Sequence, residues 1–173
     1  MGDSSRTVAG EEMPPGQAAS GSGQAVATDA WLAQATVREA PEAIVVTDPE
    51  GFIRLWNHGA ERVFGHSVAQ AVGESLDLII PEKLRERHWA GYRQTMATGR
   101  TRYGDTLLSV PAIHRDGHRL SIEFSVALLR DEAGRIAGIS AIMREVTDRR
   151  NAEKALGARL AELEQRLAQA PSA

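Results

Sequence analysis

The strongest constraint on the fold lies in residues 119–129, RLSIEFSVALL, where apolar and polar side chains alternate. In an extended strand, successive side chains point to opposite faces, so the apolar positions share one face. These positions are Leu120, Ile122, Phe124, Val126 and Leu128. A period of two predicts a strand in a sheet with one apolar face, and helices from elsewhere in the chain are expected to cover that face.

Turn residues divide the chain into five such extended segments. The segments are residues 43–48, 52–57, 103–113, 119–129 and 136–146. Asp-Pro-Glu-Gly at 48–51 suits a type I turn, and Asp116-Gly117 suits a hairpin turn. Pro111 predicts that its segment is an edge strand, because proline lacks the N–H that a central strand needs.

Helix signals fill the interval between the second and third segments. Asn57 can N-cap a first short helix, and Ser67 with Gln70 forms a capping box for a second. A longer helix begins after Pro81 and ends before Gly99. The predicted order is β-β-α-α-α-β-β-β, an α+β fold with a five-stranded antiparallel sheet and helices on one face.

The two ends of the chain differ in composition from its middle. Residues 1–28 hold Gly, Ser, Ala and Pro with almost no large apolar side chains, so they are expected to be disordered. A short amphipathic helix then starts near Asp29 and stops ahead of Pro41. The predicted organisation is therefore a disordered segment at 1–28, a globular domain at 29–147 and a helical tail at 148–173.

The helical tail has leucines at coiled-coil spacing. They are separated by four, three and four residues and are Leu156, Leu160, Leu163 and Leu167. Such a spacing forms the seam of a coiled coil, although Gly157 weakens the isolated helix. We therefore expect a homodimer formed through the helix at 148–169 and the short N-terminal helix.

Composition excludes several classes of protein. The chain has no cysteine, which rules out disulfides, thiol catalysis and cysteine-ligated zinc. Its net charge of −3 argues against direct nucleic-acid binding, which needs a basic face. No apolar run could span a bilayer, so we expect no membrane contact and a cytoplasmic location. No nucleophile with an acid–base partner is found, so we expect that the protein is not an enzyme.

Two stretches of this sequence, in the order of elements just described, resemble the PAS domain family. They are AIVVTDPEGFIRLWNHGAERVFGHS and HRDGHRLSIEFSVALLRDEAGRIAGISAIMREVTDRR. The likeness covers about residues 30–150 and implies the PAS fold and a sensory module of bacterial signalling proteins, with roles in two-component signalling and regulation of transcription. The family's Asp-Ile-Thr-type motif, which couples the last strand to an output helix, corresponds here to Glu145, Val146 and Thr147.

In that family a ligand cavity lies between the inner face of the sheet and the central helices. The resemblance implies that strand and helix residues line it, namely Tyr92, Leu108, Ile122, Phe124, Ile139 and Ile142. The alternative is that these side chains simply fill the core, because apolar alternation is typical of both.

His88 lies in the long helix on the same stripe as Leu84 and Tyr92. Residues 84–117 resemble the corresponding part of FixL-type oxygen-sensing haem PAS domains, which implies haem as cofactor and His88 as the ligand of its iron. Where that group has an oxygen-binding arginine, this chain has Leu108. Sensing of carbon monoxide, nitric oxide or redox state is therefore expected instead. The alternative is that His88 only hydrogen-bonds a neighbour.

The other four histidines have simpler interpretations. His58 and His66 lie at helix ends, and His114 and His118 flank a hairpin turn, where a metal pair would lack further ligands. Flavin is disfavoured because residues 136–146 contain no Gln or Asn and the cysteine motif of light-sensing flavin PAS domains is absent.

Two functions follow as hypotheses. The first is a ligand-sensing module that relays its state through the tail to a partner signalling protein in trans, because the chain has no kinase phosphoacceptor motif, nucleotide-binding loop or helix-turn-helix. The second is a dimerisation or docking module with a filled core and no ligand.

Overall fold

The computed structural model describes residues 21–101 and 107–169, and for residues 21–27 and Leu167 it describes the backbone alone. A boundary between two units falls at Thr36, and the fold below is that of the second unit. The elements are α1 Gly21–Glu39, β1 Ala43–Thr47, β2 Ile53–Trp56, α2 His58–Phe64, α3 Val68–Ala71, a 3-10 turn Leu76–Leu78, α4 Glu82–Thr98, β3 Leu108–Ile113, β4 Arg119–Arg130, β5 Ile136–Glu145 and α5 Thr147–Ala168.

The five strands form one antiparallel sheet in the order β2-β1-β5-β4-β3. Its longest pairing joins β4 to β5, where Phe124 lies opposite Met143 and Leu128 opposite Ile139. β3 is an edge strand and contains Pro111, as the missing proline N–H predicts. The α+β fold and the order of its elements are confirmed.

Asn57 connects α2 to the sheet and is almost fully buried. Its side-chain oxygen accepts from the N–H of Ala60 at 2.9 Å and from the N–H of Ile44 at 2.8 Å. Its amide nitrogen donates to the carbonyls of Val37 and Glu42, each at 3.0 Å. The predicted N-cap is confirmed, and the same amide also holds the segment that leads into β1.

The face of the sheet that meets the helices, called the inner face below, has two unlike ends. One end is closed, because its side chains and those of α2, α3 and the 3-10 turn form the buried core. The core includes Val45, Ile53, Trp56, Phe64, Ala71, Ile79, Ala112, Leu120 and Ile122. The other end, called the open end below, consists of side chains that stay half-buried: Leu108, Phe124, Val126, Leu128 and Ile139.

The N-terminal helix is longer than its sequence pattern predicts. It begins at Gly21 rather than near Asp29, so residues 21–28 are helical instead of disordered. This stretch holds Gln24, Ala25 and Ala27, which are good helix formers and extend a helix that Trp31 and its neighbours begin. The remainder of the segment, residues 1–20, lies outside the described residues.

β3 is described from Leu108 onward, and the predicted first part of that strand falls in residues 102–106, outside the described residues. Among the helices that are described, none combines the length and apolar character required to traverse a bilayer.

Candidate functional site

Tyr92 attaches the middle of α4 to the end of β1. Its ring is 7% exposed. Its hydroxyl donates to the carbonyl of Asp48 and, having only one proton, accepts from the hydroxyl of Thr47, with 2.9 Å between the oxygens. Burial raises the pKa of Tyr92, so the phenol stays protonated and this double contact persists at neutral pH.

His88 lies one helical turn before Tyr92 and is half-buried. Its ring centroid is 4.9 Å from that of Trp89 and 5.9 Å from that of Tyr92. Its Nδ1 atom is buried and has no hydrogen-bond partner among the described residues. Desolvation lowers the pKa of His88, and the Asp77 carboxylate opposes this only in part. The imidazole is therefore neutral at physiological pH, which is the form that binds a metal.

Trp89 packs α4 against the first hairpin. Its indole N–H donates to Asp77 Oδ1 at 2.8 Å. Its ring lies over Gly51, where a Cβ atom would come within 2.3 Å of the indole. Gly51 has φ +90°, a conformation that other residues avoid. The sequence predicts this glycine only as a turn residue and carries no signal for its contact with Trp89.

The structure brings most of the predicted lining residues to one face. Leu108, Ile122, Phe124 and Ile139 all lie on the inner face, since Leu108 pairs with Phe124 in the register of β3 and β4. Ile122 is 1% exposed and belongs to the closed end. The other three belong to the open end, where the apolar side chains are only partly buried.

Ile142 is an exception and corrects the predicted lining. It lies three residues after Ile139 on a strand without a bulge between them, so the two side chains point to opposite faces. Ile142 is 49% exposed on the outer face, where it lines a depression of about 220 Å³ with Ser125 and Arg144. A second depression, of about 290 Å³, lies beside Pro41. Neither depression is lined by His88, Tyr92 or the open end.

The junction between β5 and α5 is held by the three residues expected to relay a signal. Val146 is 5% exposed, and its N–H donates to the carbonyl of Ser121 at 2.9 Å. The Thr147 hydroxyl accepts from the N–H of Ser121 at 2.8 Å. Glu145 accepts from the N–H of Thr147 at 2.6 Å. Both backbone groups of one β4 residue are therefore bonded to the start of α5.

Two arginines in the first turn of α5 also contact the sheet. Arg149 forms an ion pair of 2.5 Å with Glu123 on the outer face of β4, and this carboxylate raises the pKa of Arg149. The guanidinium of Arg150 donates to the hydroxyl of Ser109 on β3. The direction of α5 is thus set by β4 and β3, the strands that also bear the open end.

Beyond its first turns, α5 exposes its leucines. Leu156 is 72% exposed, Leu160 57% and Leu163 41%. Three large apolar side chains on a charged helix are thus left exposed by the described residues.

Comparison with known proteins agrees with this architecture. A family model described as PAS fold matches residues 37–151. A search of curated proteins found no match.

Solved structures with the same fold include three of direct interest. The PAS domain of a protein from Colwellia psychrerythraea is 27% identical, covers 70% of this chain and 98% of its own, and has a TM-score of 0.60. A sensory box histidine kinase/response regulator from Burkholderia thailandensis is 20% identical, with coverages of 76% and 97% and a TM-score of 0.55. An RNA-binding light-oxygen-voltage receptor is 21% identical, with coverages of 86% and 41% and a TM-score of 0.63.

Proposed function

Because this chain belongs to the PAS fold family, we propose that it is a sensory module that binds a small ligand or cofactor at the open end of the inner face. The observation that carries the proposal is the contrast between the two ends of that face. Ile122, at the closed end, is 1% exposed, whereas the apolar side chains of the open end are only partly buried. A small apolar molecule would complete that burial and gain the associated hydrophobic free energy.

Haem is the cofactor that the chemistry of His88 supports. Its buried Nδ1 without a partner and its lowered pKa describe a neutral imidazole in apolar surroundings, which suits an axial ligand. His88 would hold the iron, and the open end, with Leu108 and Phe124, would contact the macrocycle. When bound, haem would supply a site for a diatomic gas or a redox change. An apolar side chain at Leu108 offers no hydrogen bond to a bound gas, which favours carbon monoxide, nitric oxide or redox sensing.

The relay runs through Glu145, Val146 and Thr147. Ser121, which bonds to two of them, belongs to the same strand as Phe124. A ligand that shifts β4 would change the support of the first turn of α5, where Arg149 also holds Glu123. The state of the open end would thereby bias the direction of α5.

The exposed leucines of α5 form the surface through which the signal leaves this domain. We propose that two copies pair along this seam and that the signal passes to a partner protein in trans, as in a two-component or transcriptional regulatory system. The short length of α5 makes this coiled coil sensitive to small shifts at its base. A ligand-free dimerisation module is the second candidate, because the exposure of Leu156, Leu160 and Leu163 alone accounts for pairing.

The test begins with the absorption spectrum of the tag-free chain before and after addition of one equivalent of hemin. We expect a sharp Soret band that is lost in His88→Ala. His66→Ala is the matched control, because His66 also has a buried ring nitrogen without a described partner and a pKa lowered by desolvation. A band that persists in His88→Ala, or no sharp band at all, would rule out haem at His88.

Native mass spectrometry of the same protein as isolated separates the sensory proposal from the second candidate. A chain carrying a retained small molecule supports sensing. A dimer without any added mass, together with no hemin binding, supports the ligand-free docking module.

A further inference from the structure

The hairpin that joins β3 to β4 places two imidazoles and a carboxylate together. Its loop is closed by the N–H of His114, which donates to the carbonyl of His118 at 3.0 Å. Gly117, with φ +92°, supplies the left-handed position that such a three-residue loop needs. The closing residues therefore lie side by side, and their rings stack with centroids 4.5 Å apart and planes inclined by 25°.

The carboxylate of Asp116 contacts both rings at their Nδ1 atoms. Its Oδ1 atom is 2.9 Å from His114 Nδ1 and 2.5 Å from His118 Nδ1. One nitrogen from each imidazole and one carboxylate oxygen thus lie within 4.8 Å of one another. Donor atoms around a tetrahedral zinc ion are separated by about 3.3 Å when each bond is about 2.0 Å long, so the cluster has the right size.

The hairpin is fixed to the rest of the domain. The N–H of Arg115 donates to the carbonyl of Phe64, at the end of α2, at 2.9 Å. Gly65 lies directly against His114, since a Cβ atom there would be 2.4 Å from His114 Nε2. This contact turns Nε2 toward the protein and leaves Nδ1 facing Asp116. A ligand set held on rigid elements needs little rearrangement to bind a metal.

We propose that His114, Asp116 and His118 form a site for a divalent cation of the zinc class, namely Zn²⁺, Ni²⁺ or Cu²⁺. Two imidazole nitrogens and one carboxylate oxygen are ligands that these borderline ions accept, whereas Ca²⁺ and Mg²⁺ prefer sites made of oxygen alone. Three protein ligands leave a fourth position for water or for a side chain of a partner. The site is independent of His88, which lies on α4.

Metal binding requires that each ligating Nδ1 atom offer a lone pair, so any proton held there must be displaced. Each imidazole must be neutral and unprotonated at Nδ1, and the released protons go to the buffer. Affinity should therefore fall as the pH falls, and heat of binding should vary with the ionisation enthalpy of the buffer.

Isothermal titration calorimetry tests the proposal. ZnCl₂ is titrated into the tag-free chain in a non-chelating buffer. We expect one zinc ion per chain, and a loss of affinity of at least about tenfold in each of His114→Gln, Asp116→Asn and His118→Gln. His58→Gln is the matched control, because His58 also lies near a carboxylate, 3.4 Å from Glu39, but has no second imidazole beside it. The zinc affinity of the His58→Gln variant should match that of the unaltered chain.

A second measurement guards against variants that fail to fold. Circular dichroism with EDTA present should show the same melting temperature for the chain and the His118→Gln variant within a few degrees, and added ZnCl₂ should raise only that of the unaltered chain. Zinc binding that is absent, or that is unchanged in all three ligand variants, would overturn the proposal.

Discussion

His88 and the hairpin pair His114 and His118 put the same side chain into opposite surroundings. His88 lies among the rings of α4, and its pKa is lowered by desolvation. In the hairpin, burial matters little, and the His118 N–H and the two imidazoles instead lower the pKa of Asp116 to about 2. Desolvation dominates at the first site, and hydrogen bonds at the surface dominate at the second.

This difference determines what each site depends on. The surroundings of His88 come from distant parts of the chain, since Trp89 needs Gly51 and Tyr92 needs Thr47. The hairpin site comes from five consecutive residues, 114–118, and its anchor at Phe64. Substitutions that alter packing should therefore damage the first site more than the second.

The largest expected difference is between Gly51→Ala and Gly117→Ala. Both glycines have φ near +90°, and alanine in the left-handed region costs about 1–2 kcal/mol. At Gly51 the new methyl group also meets the Trp89 ring at 2.3 Å, whereas nothing lies within 4 Å at Gly117. Overpacking adds about 1–3 kcal/mol. We expect the free energy of unfolding to fall by about 3 kcal/mol for Gly51→Ala and by about 1 kcal/mol for Gly117→Ala.

Urea denaturation followed by tryptophan fluorescence measures both losses. The comparison of the two variants controls for backbone strain, because φ is +90° at Gly51 and +92° at Gly117. Equal losses would show that the contact between Trp89 and Gly51 does not support the surroundings of His88.

The same contrast explains what the sequence could predict. Alternation in residues 119–129 and the turn at 48–51 were enough to find the strands, because periodicity and turn chemistry are local. Asn57 was predicted as a cap, but its bonds to Val37 and Glu42 depend on how α1 leads into β1. Ile142 was assigned to the cavity lining by the family resemblance, against the period of two that its own strand obeys.

At the hairpin, the sequence interpretation differs from the proposal made above. His114 and His118 were considered as a metal pair that would lack further ligands, and Asp116 was interpreted only as a turn residue. Spacing of two residues on either side of Asp116 was the available signal. The open end had no such signal, because alternation does not indicate whether the side chains of an apolar face, such as Phe124 and Ile139, are fully or partly buried.

A smaller difference is expected between Tyr92→Phe and Asp116→Asn. Removing the Tyr92 hydroxyl leaves the buried Thr47 hydroxyl and the Asp48 carbonyl without that partner, which costs about 2 kcal/mol. Asp116 is exposed, and water can replace its hydrogen bonds, so its substitution should cost clearly less. Chemical denaturation at pH 7 measures both. If Asp116→Asn lowered the free energy of unfolding as much as Tyr92→Phe, the buried hydrogen bonds of Tyr92 would not stabilise the domain more than the exposed contacts of Asp116 do.

The smallest expected effect is the pH dependence of the free energy of unfolding, to which each site should contribute in a different pH range. The pKa of His88 is lower in the folded protein than its ordinary value of 6.5, so the unfolded chain binds more protons and stability falls as the pH falls through that value. Asp116 shifts from 3.8 to about 2, so its contribution is present above pH 3.8 and is lost as the pH falls toward 2. The free energy of unfolding, measured in urea across both pH ranges, should depend less on pH near 6.5 in His88→Gln and less on pH between 3.8 and about 2 in Asp116→Asn.

Desolvation also lowers the pKa of His66. Part of the pH dependence near 6.5 should therefore remain in His88→Gln and disappear when His66→Gln is added. An unchanged pH dependence near 6.5 in the double variant would show that burial of these two imidazoles does not govern stability there.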